Sequence, residues 1–151
     1  MELGKIPPHD IEAEQAVLGS MLTDKDAVIA AMETLKPDSF YREDDKAIYE
    51  AMQNLYSRAE PIDLITLKNE LETMSKLEQV GGLEYLANLP EKAPTSANVQ
   101  KYISIVDEKS MLRSLIKTAN ELVDLGYSQT EDVEDIMDHA EKKIFDIMQK
   151  K

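Results

Sequence analysis

The sequence predicts an all-α fold: a compact multi-helix head over residues 1–96, followed by a long antiparallel helical hairpin over residues 97–151. Two observations carry this reading. Apolar residues recur with a 3.6-residue period along almost the whole chain, while strand-like alternation is scarce. The last third then carries two apolar stripes. Ile105, Leu112, Leu115, Ile116, Ala119, Leu122 and Val123 form the first, and Val133, Ile136, Met137, Ala140, Ile144, Ile147 and Met148 the second. Between them Leu125-Gly126-Tyr127-Ser128 reads as the turn. Two helices zipped antiparallel bury only the line between them, so the flanks of both stripes stay wet unless something else covers them. The hairpin therefore points to a scaffold that works by association.

The head can be read element by element. Ile6-Pro7-Pro8 is an extended entry, and His9 or Asp10 is placed to cap a helix holding Ala13, Ala16, Val17 and Met21. Thr23 or Asp24 caps a second helix through Val28, Ile29 and Met32, which must end before Pro37 because the residue preceding a proline avoids the helical region. A third helix carries Ile48, Met52 and Leu55. Pro61-Ile62-Asp63 restarts the chain, with Asp63 capping Leu64, Leu67 and Leu71. Gly81-Gly82 breaks it again before a short helix with Leu83, Leu86 and Leu89, closed by Pro90. Pro94-Thr95 launches the long helix, with Thr95 or Ser96 as its cap. That helix opens with a separate stripe, Val99, Tyr102, Ile103 and Val106, so its first part should lie on the head and its later part face the returning helix. One wide buried face is the alternative.

Composition narrows the function classes. The chain has no cysteine, hence no disulfide, thiol nucleophile or Cys-based metal site, which fits a cytoplasmic protein. No apolar leader follows Met1, and the longest apolar run, Ala27 to Met32, is far too short to span a bilayer. The net charge of −13 argues against a nucleic-acid grip by this chain alone, since such proteins gather Lys and Arg on one face. The adjacent basic pairs Lys142-Lys143 and Lys150-Lys151 have a plainer use. Glu131, Asp132, Glu134 and Asp135 open the last helix and the lysines close it, as the helix dipole favours.

Catalytic chemistry is hard to find. The five glycines fit no G-x-x-x-x-G-K-S/T phosphate loop. Asp135 and His139, spaced i, i+4, have the spacing for a shared metal, but a salt-linked solvent face explains them more simply. Asp24-Lys25-Asp26 has the start of a calcium loop without its glycine or closing glutamate. The residues thus predict no catalytic, cofactor or metal site in this chain.

Specific blocks of residues say more. Ile6-Pro7-Pro8-His9-Asp10-Ile11-Glu12-Ala13-Glu14-Gln15-Ala16-Val17-Leu18-Gly19 resembles the opening of bacterial replicative DNA helicases of the DnaB family. The resemblance continues in order through Phe40-Tyr41-Arg42, Ile48-Tyr49-Glu50-Ala51-Met52, Pro61-Ile62-Asp63-Leu64-Ile65-Thr66, Val80-Gly81-Gly82-Leu83-Glu84-Tyr85-Leu86 and Pro94-Thr95-Ser96-Ala97-Asn98. It closes on Tyr102, Ile105-Val106-Asp107-Glu108-Lys109-Ser110 and Leu112-Arg113.

The resemblance implies an amino-terminal collar domain, in which hairpins pair between subunits into a trimer of dimers above RecA-like motors that use ATP and Mg. It implies primase's carboxy-terminal domain, the other helicase subunits and a helicase loader as partners, with neither membrane nor direct nucleic-acid binding by the isolated domain. The chain stops near where the family's linker to the motor begins, so it is expected to be the collar without the motor. Carried over position by position, the primase interface falls on Glu12, Tyr85, Arg113, Ile116 and Leu122. Self-association is assigned to Ile136, Ala140, Ile144 and Ile147 on the hairpin's second stripe. Tyr85, just after Gly81-Gly82, is expected to hold its ring outward as an anchor whose truncation spares the fold.

Two departures from the family stand out. Asp45 replaces a frequent histidine, making Glu43-Asp44-Asp45 an acidic patch, and Ala59 replaces a glycine before Glu60-Pro61. The alternative from another class is a stand-alone acidic helical adaptor or regulatory protein.

Overall fold

A computed structural model of the chain describes residues 5–93 and 98–150. Among these the protein is all-α. The elements are α1 (Ile11–Thr23), α2 (Lys25–Thr34), a 3-10 turn (Pro37–Ser39), α3 (Glu43–Ser57) and α4 (Leu64–Thr73). They continue with α5 (Gly82–Asn88), a second 3-10 turn (Leu89–Lys92), α6 (Val99–Ser128) and α7 (Val133–Gln149). The chain divides into two compact units: residues 9–108, and residues 109–151 together with 1–8. The division falls inside α6, between Glu108 and Lys109.

In the first unit the helix starts follow from short polar side chains. Asp10 caps α1 by accepting from the Ala13 amide at 2.9 Å. Asp24 caps α2 by accepting from Asp26 N at 2.9 Å, so the calcium-like Asp24-Lys25-Asp26 is a helix junction. Asp63 and Thr66 exchange hydrogen bonds at 2.9 Å as a capping box for α4. The expected caps Thr95 and Ser96 lie outside the described residues.

The core beneath these caps gathers Val17, Leu18 and Met21 of α1, Ala27 and Ala31 of α2, and Ile48, Tyr49 and Met52 of α3. Leu67 and Leu71 of α4, Leu86 of α5 and Leu89 complete it with Ile103 and Val106 of α6. Val99, Ile103 and Val106 are buried there, as the first stripe of the long helix predicts. Tyr49 lies wholly inside and donates to the carbonyls of Ala31 (3.1 Å) and Leu35 (2.9 Å), satisfying the free end of α2. Gly19 lets α1 touch the second 3-10 turn, since a Cβ there would lie 2.1 Å from the Leu89 carbonyl oxygen.

Helix ends depart from the sequence reading in two places. Leu125-Gly126-Tyr127-Ser128 is not the hairpin turn: α6 runs through it, and the chain leaves the helix at Gln129, which takes the left-handed conformation (φ 49°). Gly126 therefore sits inside the last turns of a helix, with open space around its Cβ position. The short helix before Pro90 is also shorter than expected, because Leu89 already belongs to the 3-10 turn.

In the second unit the closing part of α6 and α7 form the antiparallel hairpin, with Lys143 of α7 reaching Glu121 of α6 at 3.3 Å. Glu134 and Asp135 stand in the first turn of α7 as the dipole favours, but the lysines do not close its last turn. Lys142 pairs with Asp146 at 3.4 Å instead, and Lys150 stands just past the helix end.

Candidate functional site

In the first unit, α1 presents two acids to opposite sides. Glu12 is exposed in the first turn, where negative charge suits the helix start. Glu14, two residues on, lies on the line of Val17, Leu18 and Met21 and is 1% exposed. Its carboxylate accepts from the backbone amides of Tyr41 (2.7 Å) and Arg42 (3.3 Å), fixing the extended residues that lead into α3. Directly beyond them Asp45 is fully buried. Burial first, then the neighbouring Glu14, push its carboxyl up to about 7, against the pull of Tyr85 and Arg42. The expected acidic patch is thus smaller than the sequence suggests. Glu43 is exposed, but Asp45 points inward because it falls on the face of α3 that continues with Ile48, Tyr49 and Met52.

Tyr85 closes this cluster from α5. Its hydroxyl donates to Asp45 Oδ1 at 3.0 Å and accepts from Gln15 Nε2 at 3.0 Å. The Arg42 guanidinium lies 4.7 Å from the centre of its ring. Burial beside Asp45 pushes the phenol up to about 12, so it stays a donor. Gly81 makes the arrangement possible: at φ 110° it carries no Cβ, and one placed there would sit 2.8 Å from the Cβ of Tyr85. The ring is half-buried against the core rather than held outward, and its polar tip faces into the head. Glu14 and Gln15, absent from the expected site, carry this arrangement. The signal for Glu14 was an acid on the apolar line of α1.

The remaining expected primase positions belong to the second unit. Arg113 donates to the Pro8 carbonyl at 2.8 Å. Arg113 and Ile116 line a groove of about 350 Å³ with Pro7, Lys117, Asn120, Glu121 and Asp124. Leu122 is half-buried and does not line that groove.

On α7 no described residue is buried. Ile136, Ala140, Lys143 and Ile147 are half-covered and share the face from which Lys143 reaches α6. Ile144 is 49% exposed, and beside it lie Val133, Met137, Phe145 and Met148, all between 49% and 75% exposed. Three of the four expected self-association residues are therefore partly covered within the hairpin, and Ile144 opens outward. Phe145, at 60% exposure, joins the outer face; the periodic pattern missed it because it lies at the edge of the arc.

Among the described residues no group of three or more metal-ligating side chains converges, and His139 Nδ1 lies 3.3 Å from Glu131. Among the described residues no helix is long and apolar enough to cross a membrane.

A family profile described as the DnaB-like helicase N terminal domain matches residues 6–108. The chain is 46% identical over 147 residues to the replicative DNA helicase DnaC of Bacillus subtilis (strain 168), covering 97% of this chain and 32% of that protein. It is 44% identical over 147 residues to the replicative DNA helicase DnaB of Geobacillus stearothermophilus, with the same coverage. The chain thus spans about a third of the length of these relatives. Among solved structures, the N-terminal domain of DnaB helicase from Mycobacterium tuberculosis superposes with a TM-score of 0.88 at 41% identity, covering 94% of this chain and 99% of that one. A DnaB-like replicative helicase, solved in a study of its interactions with primase, superposes with a TM-score of 0.77 at 25% identity, covering 91% of this chain and 31% of that one. An all-α head whose core closes on the start of the long helix, matched over nearly its full length by these domains, identifies the chain as a member of the DnaB-like helicase N-terminal domain family.

Proposed function

We propose that this domain is the collar of a hexameric replicative helicase, holding subunits together and recruiting primase at the replication fork. The observation that carries the reading is the outer face of α7. Val133, Met137, Ile144, Phe145 and Met148 stand open along one helix, and Leu112, Leu115, Ile116 and Val123 stand open on α6. Burying such surface contributes about 25 cal/mol per Å² before the cost of association is subtracted. Hairpins paired into dimers, and dimers into a trimer, give this face its cover. Primase's carboxy-terminal domain then docks on Glu12 and Tyr85 of the head and on Arg113, Ile116 and Leu122 of the hairpin, and a helicase loader is a further partner. ATP and Mg belong to the motor of the full-length protein, which acts in the cytoplasm.

Two points support the primase assignment. Arg113 and Ile116 share one groove, and a relative of this fold was solved in a study of its interactions with primase. The test is a light-scattering mass of the chain with and without the carboxy-terminal domain of primase. A mass above the monomer that rises further on adding primase is expected. A monomer at high concentration would refute the assembly role, and an unchanged mass with primase would refute the docking role.

A further inference from the structure

We infer that Glu14 and Asp45 form a buried site for a single proton, which fastens the start of α3 to α1 and loosens that junction when the proton leaves. Both carboxyls are closed to solvent, at 1% and 0% exposure. Glu14 spends its oxygens on the amides of Tyr41 and Arg42, the role of a charged acceptor. Asp45 faces it at side-chain hydrogen-bonding range, where two negative carboxylates out of water repel strongly. Its Oδ1 accepts from Tyr85, whereas its buried Oδ2 has no hydrogen-bond partner. A proton on Oδ2, donated to Glu14, satisfies that atom and removes one charge.

The surrounding charges do not supply a substitute. Helix α1 contributes Glu14 and the neutral Gln15, α5 contributes Tyr85, and α3 adds Asp44 beside Asp45. The segment before α3 brings Arg42, with His9 stacked on Tyr41 at 4.2 Å. Arg42 bonds Asp44 at 2.9 Å and reaches Asp45 Oδ1 only at 3.6 Å. One guanidinium therefore faces two carboxyls, Asp44 and Asp45. Its Nη1 is buried without a hydrogen bond, so it is the group placed to answer a charge on Asp45.

The geometry sets the sign. Asp45 holds its proton in the folded chain up to about 7 and in the unfolded chain only to the ordinary aspartate value of 3.8. Between those values the folded state binds more protons, so this pair's contribution to stability falls as pH rises across that window and levels off above it. Asparagine at position 45 imitates the protonated acid at every pH.

The experiment follows the Asp45 carboxyl carbon by NMR across a pH titration of the chain, and compares urea midpoints of the wild type and Asp45→Asn from about pH 5 to about pH 8. The expected carboxyl midpoint is near 7, moving higher in Tyr85→Phe, because the hydroxyl favours the charged form. The wild-type urea midpoint should fall with pH relative to that of Asp45→Asn. An Asp45 carboxyl that titrates below about pH 5, or never titrates, overturns the inference, and so do parallel stability curves. The NMR measurement needs only the wild type, so it decides the matter even where the variant does not fold.

Discussion

The hydroxyl of Tyr85 and the carboxyl of Asp45, 40 positions apart in sequence, meet at 3.0 Å inside the head, and through them α5 is tied to α3. This contact changes what a mutation at Tyr85 measures. Tyr85→Phe leaves Asp45 Oδ1 without its donor and should cost about 1–3 kcal/mol. Tyr85→Ala also removes a half-buried ring and should cost more, about 3 kcal/mol or above. Thermal melts of both variants check this. A primase titration on Tyr85→Ala is therefore informative only beside its melting curve, and Glu12→Ala, at an exposed position, is the cleaner probe of docking.

Two glycines should respond with opposite signs. Gly19→Ala drives a Cβ against the Leu89 carbonyl, backbone against backbone, and should destabilise by about 1–3 kcal/mol or more. Gly126→Ala adds a methyl to open space inside a helix and should stabilise α6 by about 1 kcal/mol. Denaturant midpoints of the two variants should move in opposite directions from the wild type.

Ala59 explains itself at the end of α3. It adopts φ 57°, its amide bonds Tyr56 O at 3.0 Å, and Glu60 N bonds Leu55 O at 2.9 Å, a Schellman closure usually given to glycine. A left-handed alanine costs about 1–2 kcal/mol, of which glycine's extra unfolded freedom takes back about half. Ala59→Gly should raise the melting temperature by a few degrees at most, an effect calorimetry resolves.

Ile144→Asp places a charge on the outer face of α7 without touching the core. Sedimentation should shift toward monomer by at least tenfold in the association constant, equivalent to about 1.4 kcal/mol, while circular dichroism is unchanged. Ile136→Asp strikes the half-covered inner face and should cost helix content as well. The contrast between the two separates assembly from folding.

With a net charge of −13 and no phosphate loop, the chain should hydrolyse no nucleotide and bind single-stranded DNA weakly. Fluorescence anisotropy at about 150 mM salt, where charges act over roughly 8 Å, checks the second half.

The sequence by itself determined the all-α class, most helix starts and the family. Each rests on local signals: a 3.6-residue stripe, an Asp before a helix, ordered motif blocks. It also located the open hairpin, because apolar period is a property of one helix. Tertiary structure decided what depends on a neighbour. Gly126 looked like a turn, but a helix ends where its carbonyls find other partners, and here Gln129 supplies the left-handed exit. Asp45 and Tyr85 looked like surface residues because both are polar. Their burial was decided by Glu14 on α1, Gln15 beside it and the missing Cβ of Gly81, groups brought together only when three helices pack.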